Sequence, residues 1–180
     1  MKITVTLLVL VFALAACFHP AAFGGSLPAC NPGLFTRNGN SIRMSLSTLG
    51  QHFNQRLQAT HSDLQDLQLV AAGTNKLKVS GERKGQPVSI TGPLTPTRSG
   101  GLRLHASEIK KNGSPVKGMM DLFGKDLADV VNTNNTPSLS AQGDNLEINV
   151  DSLLGVAGHV TEVRLNASQI EMQFASPPCR

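Results

Sequence analysis

Between residues 66 and 107 apolar side chains recur at every second position in four short runs, and the fold must satisfy this period first. Leu67, Leu69 and Ala71 alternate in "DLQLVA", and Leu77 and Val79 in "KLKVSGE". Val88 and Ile90 alternate in "PVSITG", and Leu102, Leu104 and Ala106 in "LRLHAS". Successive side chains of a strand point to opposite faces, so each run reads as a half-buried strand. The connections "ERKGQ", "PLTPTRSGG" and "KKNGS" are brief and carry Gly or Pro, which suits an antiparallel meander with one polar face. The tail returns to the same period. Leu146, Ile148 and Val150 alternate in "NLEINV". Val163 and Leu165 are followed by a phase shift at Asn166-Ala167-Ser168 and then by Ile170, Met172 and Phe174. That shift reads as a tight turn or bulge between two strands.

Two segments change period. In residues 45–58, Leu46, Leu49, Phe53 and Leu57 share one helical face, with Ser45 as a candidate N-cap. In residues 113–132, Val116, Met119, Met120, Phe123, Leu127, Val130 and Val131 form a broad apolar stripe. Ser114 suits the N-cap there and Pro115 the first helical position. Gly118 and Gly124 each cost such a helix about 1 kcal/mol. The order is helix, strands, helix, strands. It predicts an α+β fold: a twisted antiparallel sheet of about six to seven short strands packed against an amphipathic helix, with a short N-terminal helix.

The first 16 residues, "MKITVTLLVLVFALAA", place one Lys before an uncharged apolar run. The run is shorter than the roughly 20 residues of a spanning helix and fits a secretory signal peptide. It ends in Leu14-Ala15-Ala16-Cys17, which resembles a bacterial lipobox. In that kind of signal the Cys thiol is acylated and the chain is cut just before it, so Cys17 is the expected lipid-attachment site. The alternatives are an ordinary signal-peptidase cut near Ala13-Leu14-Ala15, leaving Cys17 as a tail thiol, and an uncleaved anchor. Phe18 supplies no Asp-type retention signal after the anchor, and resemblance to enterobacterial sorting then favours the outer membrane. Residues 17–44, rich in Pro, Gly, Asn and Ser after Cys17, read as a lipidated N-terminus and flexible tether, and residues 45–180 as one domain.

Export implies an oxidising compartment. The chain has three cysteines. With Cys17 acylated, Cys30 and Cys179 remain as a candidate disulfide that ties the two ends of the domain together; the alternative is two unpaired thiols.

Composition excludes several functions. Net charge is +4 with scattered basic residues, and there is no Trp and no Tyr. The chain therefore lacks both the basic arm and the aromatic platforms of a nucleic-acid binder. There is no G-x-S-x-G, H-E-x-x-H, C-x-x-C or phosphate-cradling loop. The five His are scattered: His19, His52, His61, His105 and His159. The Asp126/Asp129 pair reads as a solvated face. No catalytic residue, metal or cofactor is assigned.

Taken together, the N-terminal amphipathic helix, "LKVSGERKGQPVSITG", "GLRLHASEIKKNGSPV" leading into the Met-rich segment, and "LEINVDSLLGVAGHVTEVRLNASQIEMQF" resemble bacterial lipid-binding proteins of the LmeA-like kind, related to the tubular lipid-binding (TULIP) superfamily. The likeness spans about residues 45–174. It implies a curved sheet wrapped against a long helix, an apolar groove for acyl chains, and lipid handling in the cell envelope without chemistry. The groove candidates are Val116, Met119, Met120, Phe123, Leu127, Leu102, Leu104, Ile148 and Val150. The same stripe also reads as a filled core facing the sheet. Two functions follow. One is a membrane-anchored envelope lipoprotein, facing the periplasm, that binds or carries lipid. The other is a structural lipoprotein acting through a protein partner.

Overall fold

In the computed structural model the described residues are 27–59, 64–122, 124–130 and 138–180, without the side chains of Asp129 and Val130. The expected signal peptide, Cys17 and the first part of the expected tether lie outside them, as does Phe123. The rest of that tether belongs to the domain. Strands β1 (Thr36–Asn38) and β2 (Ser41–Ser45) form a hairpin, and Phe35, Ile42 and Met44 are buried. The turn residues in this stretch suggested a linker because one hairpin, with three buried side chains, shows little periodicity.

Helix α1 (Leu46–Ala59) follows directly, and Ser45 Oγ accepts a hydrogen bond from Thr48 N at 2.9 Å as its N-cap. Leu46, Leu49, Phe53 and Leu57 turn inward as one face. Strands β3 (Leu64–Ala71), β4 (Lys76–Arg83) and β5 (Gln86–Pro96) then run as an antiparallel meander. β5 has two successive partners on its far side. Its first part pairs with β7 (Glu108–Lys111), and its last part with β6 (Leu102–His105). The switch falls at Gly92, where a β-carbon would overlap the His105 carbonyl.

The long helix expected over 113–132 is not formed. Ser114 and Pro115 are strand β8, paired with β7. The helical residues are divided between α2 (Lys117–Leu122) and α3 (Leu127–Val130). Gly124 between them sits at φ 62°, outside any right-handed helix. Gly124 thus marks the interruption, whereas Gly118 lies within α2.

Strands β9 (Leu139–Gln142) and β10 (Asn145–Ile148) extend the sheet in the order β3-β4-β5-β6-β10-β9. Val150, expected at the end of a strand, instead opens helix α4 (Val150–Leu154). Asn149 Oδ1 caps that helix by accepting from Ser152 N, and Gly155 closes it in the left-handed conformation. Strands β11 (Val160–Leu165) and β12 (Gln169–Phe174) complete a second sheet, β1-β2-β12-β11. The phase shift at 166–168 is the turn between them, with Asn166 Oδ1 accepting from Ser168 N and Gln169 N.

The fold is therefore α+β, with twelve strands in two sheets among the described residues rather than one sheet of about six or seven. Cys30 and Cys179 form a disulfide, and Cys30 N donates to Arg180 O at 3.0 Å while Arg180 N donates to Pro28 O at 2.9 Å. The two ends of the described domain are thus locked side by side.

Candidate ligand cavity

The inward faces do not close completely. A cavity of about 290 Å³ lies among α1, the inner face of the long sheet, α2–α4 and β12. Its walls follow from strand alternation. Leu77 and Val79 of β4, Val88, Ile90 and Leu94 of β5, and Leu102 and Leu104 of β6 all point inward. Leu49, Phe53 and Leu57 of α1 cover one side, Leu153 and Leu154 of α4 another, and Ile170 and Met172 of β12 join from the second sheet. Among the described residues Phe53 is the one aromatic side chain in a wall that is otherwise aliphatic apart from a few polar residues.

A bulge aims one of these residues. β3 shifts register between Gln65 and Gln68, and Asp66 takes φ 53°. Leu67 at this bulge is satisfied from α1: Asn54 Oδ1 accepts from Leu67 N at 2.7 Å, and Asn54 Nδ2 donates to Leu67 O at 3.0 Å. The side chain of Leu67 then enters the cavity wall.

Seven of the nine expected groove residues line this space: Val116, Met120, Leu127, Leu102, Leu104, Ile148 and Val150. Met119 does not; it is 63 % exposed and points away, because the short α2 presents only Met120 inward. Leu122 is 81 % exposed on the same helix. α2 is held from outside by Lys117, whose ammonium pairs with Asp144 and with Asp121, the latter at 3.0 Å. The hydrogen bond with Asp144, opposed by desolvation, holds the Lys117 pKa above its ordinary value.

The cavity has residues that the apolar stripes did not announce. Leu49, Phe53 and Leu57 read simply as a helix face, and α4 was not recognised. More telling are Arg83, Lys110 and Lys111, which also line it. A signal for two of these existed. Arg83 continues the inward phase of Leu77 and Val79, and Lys111 that of Ile109. A cation on the apolar phase at a strand end marks a rim.

The three described histidines do not converge. His52 shares a 2.7 Å hydrogen bond with Leu153 O, His105 one of 3.1 Å with Asn145 Oδ1, and His159 precedes β11. His19 and His61 lie outside the described residues. Among the described residues no three His, Cys, Asp or Glu side chains gather as metal ligands, and no helix is long and apolar enough to cross a membrane. No known protein family, curated protein or solved structure matches the chain.

Proposed function

We propose that this protein is a cell-envelope lipoprotein that binds or carries a lipid acyl chain in the cavity between its sheets, without catalysing a reaction. The observation that carries the reading is a cavity of about 290 Å³ with almost entirely aliphatic walls. Ligand pockets span about 300–1,000 Å³ and are mostly apolar, so the space is at the small end and suits one chain. Buried apolar area supplies the binding energy, at about 25 cal/mol per Å² before ordering costs. The resemblance to LmeA-like proteins points the same way. Acylation of Cys17 would hold the domain at the membrane on its periplasmic side, the outer membrane by the sorting argument. The Cys30–Cys179 disulfide suits that oxidising compartment.

Diphenylhexatriene, an uncharged dye that brightens out of water, tests the cavity itself. The protein should enhance its emission, and Val79→Phe, which fills the wall, should abolish the enhancement while the circular dichroism spectrum is kept. Unchanged emission with the unsubstituted protein would count against the reading. Anchoring has its own test: Cys17→Ser should move the protein from the membrane fraction to the soluble periplasmic fraction. A second reading, docking of a protein partner, is favoured by exposed Met119 and Leu122 on α2. It predicts that Met119→Ser with Leu122→Ser abolishes partner recovery and leaves dye binding intact.

A further inference from the structure

Among the described residues the charged ones at the cavity are all of one sign: Arg83, Lys110 and Lys111 line it, and no Asp or Glu does. Lys110 is engaged, with Nζ 3.0 Å from Glu108 Oε1. Arg83 and Lys111 have no ion-pair partner among the described residues. Strand register brings these two to one end of the inner face. Lys111 lies opposite Val88 on β5, and Arg83 lies opposite Gln86 on the other side of the same strand. Two strand spacings across and two residues along the strand, about 12 Å on the diagonal, separate their backbones, within reach of two long side chains converging on one group. Arg83 is half-buried and Lys111 is exposed, so the cavity reaches solvent here.

We propose that the ligand is a single-chain amphiphile with an acidic headgroup, a carboxylate or a phosphate monoester, whose anion is held at this mouth by Arg83 and Lys111. The inference rests on the acyl-chain reading above. Physically, the aliphatic walls take the chain, and two cations beside a low-dielectric cavity strengthen the field at its mouth. Charge-assisted hydrogen bonds are the strong ones, and an Arg fork suits both headgroups. The headgroup stays partly hydrated at the rim and avoids the cost of full burial.

The test compares ligands of one chain length. Binding of dodecanoate, dodecyl phosphate and dodecanol to the purified full chain is measured by displacement of diphenylhexatriene, with inorganic phosphate as the headgroup alone. Both acids should bind about tenfold more tightly than dodecanol. Arg83→Gln with Lys111→Gln should erase that preference and leave dodecanol binding unchanged. The single substitutions should each give part of the loss and serve if the double variant does not fold. Equal binding of acids and alcohol by the unsubstituted protein overturns the headgroup assignment and leaves the cavity reading standing. A preference that survives in the variants also overturns it. Inorganic phosphate binding as tightly as dodecyl phosphate makes this an anion site and overturns the amphiphile. Failure of every amphiphile and of the dye to bind overturns the acyl-chain reading itself.

Discussion

Asn54 joins α1 to the cavity wall through two hydrogen bonds to a single residue, Leu67. Removing a partner from part-buried backbone groups costs more than the net value of the bonds, because each group then lacks the water it had in the unfolded chain. Asn54→Ala should therefore lower stability by about 1–3 kcal/mol in urea unfolding, more than an exposed helical Asn→Ala elsewhere. Little of this was legible in the sequence. Asn54 is one polar residue on a helix, and the bulge that needs it depends on the register of two strands. Arg83 and Lys111 were partly legible, since each lies in phase with apolar neighbours.

At the scale of elements, β5 ties two β-systems together and Gly92 is the point where it changes partner. Gly92→Ala places a methyl group against the His105 carbonyl, which is backbone and cannot rotate away. Overpacking of this kind typically costs about 1–3 kcal/mol, and the thermal midpoint should fall accordingly. β12 and β2 carry a cross-strand pair, with Glu171 directly opposite Arg43 and their side chains 3.1 Å apart. The Arg43 hydrogen bond, then that of Ser41, holds the Glu171 pKa below its ordinary 4.5. A carboxylate lowered in the folded state stabilises the fold above its unfolded pKa and loses that contribution as pH falls through the folded value. A carbon NMR titration should find Glu171 below 4.5, and Arg43→Ala should raise it. An unchanged titration in that variant would contradict the assignment. Strands β3 to β6 and β10 to β12 were legible because each carries several period-two residues. β7 has one buried residue and β8 is two residues long, which is too little period to identify either as a strand. The 113–132 stripe misled because apolar spacing alone does not register a glycine at positive φ.

For the whole molecule, the Cys30–Cys179 disulfide closes a loop with a sequence separation of 149 residues. In the chain-entropy account a loop of this length restricts the unfolded chain by about 4–5 kcal/mol. Replacing both cysteines by Ser should lower unfolding free energy by up to that amount, and reductant should do the same to the unsubstituted protein but not to the variant. Apolar capital without Trp or Tyr and the two cysteines near the ends were visible beforehand. Whether the inward faces meet or leave a space was not, because a core and a groove share one pattern.

The most direct measurement of the central claim is the mass of the protein secreted from a bacterial host, recorded under native and then denaturing conditions. The account predicts discrete adducts of single-chain lipid mass that vanish on denaturation, and fewer of them for Val79→Phe. A protein that keeps its bare mass under native conditions, even after incubation with dodecanoate, would contradict it.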